Sequence, residues 1–403
     1  MNDGTVSDTQ DMPFPTAWIK RTLLECLRRD SSVEELEFVK EDKGELCVAD
    51  ICGDGYLNYV LRVWPATDLN RSIVLKQYPP FWRTNPKVPL TQKRSELEFK
   101  ALTKFYSILT GCVPRPLAYD GEKHVVCMED LREHTLYRKW LLAGNVDEDV
   151  ARKLARSLAD IHSRTHVTNI GEDALQQLEL EFRNKQLRKE MEEFGFEYPY
   201  RKEKVTKIIS QTLKEHLDSV LEDEDLLEAK SQVRRVFLEK KECLIHGDCH
   251  TNAVMVKGSD VRMFDLELAH VGPCARDLGQ LLGHYVFNYF HHLHHPDNNN
   301  QTHTRMVDAL PRIIRAKVDE YLKHLEVKVE DRDQYNRQLM SEMAGFTASE
   351  LIVRSLSIAP VEDMLTVEGA QPHALAAGCR LMKAHRRVHD VTAMIDTLID
   401  QNS

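Results

Sequence analysis

At 403 residues, 42% hydrophobic and 29% charged, the chain is long enough for two or three domains around a large core. Its formal charge of −10 excludes a surface devoted mainly to nucleic acid, which needs clustered Lys and Arg, but leaves room for a local nucleotide pocket. Nine irregularly spaced cysteines suit reduced thiols. With no signal-peptide pattern and no apolar run of about 18 residues, the expectation is a cytoplasmic protein without a membrane span.

Residues 1–15 read as a flexible tail. Trp18, Ile19, Leu23, Leu24 and Leu27 then recur at helical spacing over 16–30. From 33 to 78 the runs LEFVKE, ELCVADI, YLNYVLRVW and SIVLKQY, separated by Gly, Asp and Asn, predict an antiparallel sheet of hairpin-linked strands. PPFWRTNPKVP reads as a loop, 91–110 as a helix, and PLAYD and HVVCME as two more strands.

After Leu131 helical spacing dominates, over 136–143, 147–165, 173–193, 201–222, 306–326, 335–356 and 369–400. One strand–loop–strand insert interrupts it at 242–267. His291, His292, His294, His295 and His303, in an Asn-rich stretch at 291–303, read as a solvated surface insertion. The expected fold class is α+β: a small antiparallel sheet with one helix over 16–130, then a larger, mainly helical domain over 131–403.

The strongest local signal is LIHGDCHTNAVMV followed by VRMFDLELA. Asp248 and Asp265, 17 residues apart, each follow an apolar strand-like run. Phosphoryl transfer needs such a pair: one carboxylate orients and deprotonates the attacking hydroxyl, and the other holds Mg²⁺ against nucleotide phosphates. Glu267 lies on the same face of an extended segment as Asp265 and is a second candidate metal ligand. The bland alternative is a hairpin with acidic turns.

Gly53-Asp54-Gly55 lies between strand-like runs, where backbone N–H groups can approach phosphates, although it also suits an ordinary hairpin turn. Lys76 ends an apolar run, with Glu96 and Glu98 as possible ion-pair partners on the following helix. Val125 to Asp130 is an apolar strand running into acids, suited to passing an adenine ring at Met128 and Glu129 or to plain burial. Cys243, His246, Cys249 and His250 match no common closed zinc site; His246 better suits bracing of the loop through ring hydrogen bonds.

HGDCHTNAV with FDLELAHVGPCARDLGQLL resembles the aminoglycoside phosphotransferase and choline kinase superfamily, relatives of protein kinases. Within it, the methylthioribose kinases are the nearest likeness. GDGYLNYVLRV, LKQYPPFWR, PLTQKRSELEFKAL, CMEDLREHTLYRKWLLAG, GPCARDLGQLLGHYVFNYF and ELIVRSLSIAPVED carry it, in order, over about residues 45 to 365.

The resemblance implies a bilobal, protein-kinase-like fold with a hinge near 128–132 and ATP in the cleft. It assigns Gly53, Asp54, Gly55, Asn58, Lys76, Glu98, Met128 and Glu129 to the nucleotide, selecting Glu98 as the partner of Lys76. Asp265 and Glu267 would hold Mg²⁺, and Asp248 and Arg354 would be catalytic. The acceptor it implies is the 1-hydroxyl of 5-methylthioribose, in methionine salvage.

Several positions depart from the pattern. Ala253 stands at the usual metal-binding Asn, with Asn252 one place early; Val353 replaces the first of two arginines, Val88 a Trp and Pro360 a His. A kinase for choline, an amino sugar or another small alcohol, or a nucleotide-binding pseudokinase, are the alternatives. Gly247, where protein kinases carry Arg, argues against a protein kinase. A homodimer is the general prior for a metabolic enzyme.

Overall fold

A computed structural model describes residues 13–40, 45–51, 55, 57–205, 213, 217–218, 220–356 and 361–399. Two compact units emerge, Met1–Glu133 with Phe264–Leu268, and His134–Met263 with Ala269–Ser403.

The first unit is built on a five-stranded antiparallel sheet. Its strands are β1 (Leu46–Asp50), β2 (Tyr59–Pro65), β3 (Ile73–Gln77), β6 (Pro116–Asp120) and β7 (Val125–Glu129), in the order β1-β2-β3-β7-β6. Central β3 is buried along its whole length. Leu61 and Val63 of β2, Ile73 and Leu75 of β3 and Val125 and Cys127 of β7 share one face. They form a core with Ile19, Leu23 and Leu27 of the Thr16–Arg29 helix. The two-residue period of the strand therefore turns Lys76 to the opposite face, where helix Lys93–Ile108 supplies its partner.

Two segments differ from expectation. Glu34–Lys40 is a 3-10 helix: Phe38 and Val39 are both buried, which strand alternation forbids. The segment read as a loop after Tyr78 contains a small hairpin of β4 (Phe81–Trp82) and β5 (Asn85–Pro89), its second strand exposed and bounded by prolines.

In the second unit, β8 (Thr135–Leu136) pairs with β10 (Val254–Lys257), β10 with β11 (Asp260–Met263), and β9 (Cys243–Ile245) with β12 (His270–Gly272). Helices cover most of the rest. Two long ones escaped the sequence reading, Glu224–Glu239 and Ala275–His294. Every residue from Asp277 to His292 is buried, so the second shows no one-sided apolar stripe to betray it. His291 and His292 belong to its last turns, which corrects the reading of 291–303 as a wholly solvated insertion.

The run at 173–193 divides into Glu172–Glu181 and Lys185–Glu192, the latter capped by Asn184. The final run divides into Ala370–Ala384 and Val391–Leu398, the latter capped by Asp390. Of 201–222, Lys202–Lys204 is a 3-10 turn and much of the remainder lies outside the described residues. Among the described residues no helix is long and apolar enough to cross a membrane.

Helix Ala275–His294 lies against Arg332–Leu356 at glycine contacts. A Cβ added at Gly279 would stand 2.7 Å from Phe346 Cβ and 2.8 Å from the Met343 carbonyl oxygen. Neither atom can rotate away, so Gly279→Ala should lose more to overpacking, about 1–3 kcal/mol, than the roughly 1 kcal/mol gained in helix propensity. Urea unfolding should show a lowered midpoint. An unchanged or raised midpoint would mean that these helices do not approach so closely.

Candidate active site

Two polar clusters stand out, one in each unit. In the first, Lys76 is 6% exposed, and its Nζ donates to Glu98 Oε2 at 2.7 Å and to Asp265 Oδ1 at 2.5 Å. The Tyr78 hydroxyl also donates to Glu98. Burial opposes the charge on Lys76, but Asp265 and Glu98 outweigh it and lift its pKa above the ordinary lysine value. Burial raises the Glu98 carboxyl against the pull of the same ammonium.

Glu267 takes two bonds from Asn58 Nδ2, at 3.0 and 3.2 Å, and pairs with Arg94 Nε at 3.3 Å. Burial pushes its carboxyl up to about 7 against the pull of Lys76, with Asp265 adding to the rise. Arg94 is fully buried and also donates to Asn58 Oδ1 and to the carbonyls of Thr91 and Pro79. The Asn58 side chain thus bridges Arg94 and Glu267, the geometry of a residue that orients Glu267.

Asp265 has a left-handed backbone with φ of +66°, a conformation Asp tolerates better than most residues. Its side chain remains 40% exposed. Oxygens of Glu98, Asp265 and Glu267 lie within 4.8 Å of one another, the one such group among the described residues. An all-carboxylate donor set of this kind suits a hard divalent cation.

Met128 and Glu129 end β7. The Glu129 N–H donates to the Arg115 carbonyl at 2.9 Å and its carboxylate accepts from the Arg115 N–H at 3.0 Å. That amide is therefore engaged within the sheet. The Gly55 carbonyl accepts from Arg83, and Gly53 and Asp54 lie outside the described residues.

The second cluster centres on Asp248, three residues beyond β9. The chain turns at Gly247 with φ of +86°. Asp277, fully buried, accepts the N–H groups of His246 at 2.7 Å and Gly247 at 2.9 Å and contacts His162 Nε2 at 3.2 Å. Arg276 donates to the Gly247 carbonyl, and the Asp248 N–H approaches His246 Nδ1 at 3.4 Å. The loop is thus held from both sides by a helix that sequence reasoning missed.

The Asp248 side chain is 29% exposed. Its Oδ1 accepts from Gln280 Nε2 at 2.6 Å and lies 3.6 Å from Arg354 Nη2, while His250 Nε2 is 3.4 Å from Oδ2. Burial opposes its ionisation, but His250, Arg354 and Gln280 together hold the carboxyl well below the usual carboxylate range. Arg354 also donates to Glu350 at 2.7 Å.

Burial pushes His284 down to about 3, so its ring is neutral near pH 7. Burial works against the Glu350 charge, yet Arg354 and His284 bring its pKa down to about 2. A neutral ring facing this anion at 3.0 Å must carry its proton on Nε2, leaving Nδ1 to accept from Thr251. Glu350 thus holds Arg354 through Nε while Nη2 lies near Asp248. Arg94, Asp277, Gln280 and Glu350 had no role in the sequence reading. Arg94 could have been found as the residue one helical turn before Glu98, and Asp277 and Gln280 lie within the ARDLGQ stretch that carried the resemblance.

Comparison with known proteins agrees with this chemistry. Methylthioribose kinase of Bacillus cereus (strain AH187) is 27% identical over 387 residues, covering 90% of this chain and 94% of that protein. The protein of the same name from strain G9842 is 28% identical over 371 residues, covering 87% and 90%. Among solved structures, ethanolamine kinase of Plasmodium vivax shares the fold at 15% identity, with a TM-score of 0.51 over 93% of this chain and 92% of that one. A family model described as the phosphotransferase enzyme family matches residues 51–339. The chain belongs to this phosphotransferase family.

Proposed function

We propose that the protein is a cytoplasmic, ATP-dependent kinase that phosphorylates the 1-hydroxyl of 5-methylthioribose in methionine salvage. The observation that carries the reading is Asp248, an ionised, partly open carboxylate beside Arg354 on a loop pinned by Asp277. Relatives named methylthioribose kinase, matching about nine-tenths of the chain, support the choice of acceptor.

Asp248 accepts a hydrogen bond from the acceptor hydroxyl and orients its oxygen toward the γ-phosphorus. Because its pKa is low, it is a weak base, and early removal of the proton is unfavourable. The proton passes late, as the new oxygen–phosphorus bond forms and the bond to the departing ADP breaks, which suits a loose transition state. Arg354 neutralises charge on the phosphoryl oxygens. Lys76, oriented by Glu98, binds the nucleotide phosphates. Asp265, with Glu267, would hold magnesium, which supplies charge neutralisation at those phosphates. An arginine at the acceptor site favours an uncharged sugar over choline or ethanolamine.

Purified protein with Mg²⁺ should consume ATP only when 5-methylthioribose is present, and Asp248→Asn should lower kcat by about 10²–10⁴-fold. Turnover on another small alcohol but not on this sugar would discard the acceptor. ATP binding without turnover on any acceptor would favour a pseudokinase.

Arg354→Met should lower kcat by about 10²–10³-fold with a smaller change in KM for the sugar, and Arg354→Lys should recover part of the loss. Equal activity of the Met variant and wild type would remove Arg354 from the reaction.

Lys76→Met should raise the KM for ATP and leave that for the sugar nearly unchanged. The opposite pattern in steady-state kinetics would contradict the nucleotide role.

A further inference from the structure

Gln280 is 3% exposed in the middle of helix Ala275–His294. Its Nε2 is bound to Asp248 Oδ1 at 2.6 Å. Its Oε1 is buried and has no hydrogen-bond partner among the described residues. Rotating the amide does not relieve this, because it would set an oxygen against an ionised carboxylate. The charge on Asp248 therefore fixes which end faces it and leaves the other as an acceptor without a donor. A buried acceptor of this kind is costly unless a ligand supplies the missing hydrogen. The two ends of the amide share one carbon, so the unmet acceptor lies beside the carboxylate that orients the acceptor hydroxyl.

We propose that Gln280 is a specificity-determining residue: Nε2 positions Asp248, and Oε1 accepts a hydrogen bond from the hydroxyl adjacent to the one phosphorylated. The site then favours acceptors with a hydrogen-bond donor beside the reacting hydroxyl, as in a vicinal diol, a requirement that choline, with one hydroxyl and no N–H, cannot meet. This rests on the kinase reading of Asp248 given above and extends it to the 2-hydroxyl of the sugar.

The test compares kcat/KM for 5-methylthioribose and its 2-deoxy analogue in wild type, Gln280→Met and Gln280→Glu. Wild type should prefer the parent sugar by about 10- to 100-fold. Gln280→Met should lose rate on the parent and reduce the preference below about threefold. Gln280→Glu keeps an acceptor oxygen but sets a second carboxylate against Asp248, so kcat should fall while the preference survives. A merely structural residue would slow both sugars equally in either variant. A wild-type preference below about threefold, or one unchanged in Gln280→Met, overturns the assignment while leaving the kinase reading intact. No turnover of the parent sugar by wild type overturns the acceptor reading and this inference with it.

Discussion

Two backbone N–H groups, of His246 and Gly247, end on one buried carboxylate, that of Asp277, and the geometry around Asp248 depends on that arrangement. The turn that presents Asp248 needs a positive φ at Gly247, and its amides face the interior, where unmet donors would each cost about 1–3 kcal/mol. Asp277 satisfies both and is itself steadied by His162, whose other ring nitrogen meets the Tyr321 hydroxyl at 2.8 Å. Three helices, Glu148–Thr165, Ala275–His294 and Gln301–His324, thereby converge on one turn. The close approach at Gly279 seats the middle helix against Arg332–Leu356, which carries Glu350 and Arg354. Packing and chemistry are joined in a single element: its core-facing residues fill the interior, and Arg276, Asp277 and Gln280 hold the loop.

The first unit follows a similar logic with more charge. Lys76, Glu98, Asp265, Glu267 and Arg94 form a network in which nearly every buried ion meets an opposite one. Buried pairs of this kind add little net stability, because desolvation consumes most of their attraction. What they supply is geometry. Tyr78 and Lys76 fix Glu98, and Asn58 and Arg94 fix Glu267, while Asp265 keeps an accessible carboxylate.

The parts legible in sequence were those with local signatures. The apolar run Ile73–Leu75 leading to Lys76 and the glycine before Asp248 follow from short-range rules, whereas Glu267 comes near Asp265 through a left-handed turn at Asp265 and not along the extended segment expected. Helix Ala275–His294 was hidden because burial on all sides erases the amphipathic period, and Asp277 and Gln280 were hidden with it. Glu34–Lys40 misled because its apolar residues fit an alternating pattern until Val39. The roles of Asn58, Arg94 and Glu350 are tertiary: each depends on a residue distant in sequence or on a charge network that no linear pattern reveals. Glu129 was legible as the end of a strand, but its pairing with Arg115 was not.

The central claim is that Asp248 directs a phosphoryl group to the anomeric oxygen of 5-methylthioribose. The most direct measurement is the ³¹P spectrum of the product formed from ATP and sugar labelled with ¹³C at C1. The account predicts one sugar phosphate whose phosphorus couples to the labelled carbon and its proton, formed in step with ADP. A phosphate on another carbon, or ADP accompanied only by inorganic phosphate, would contradict it.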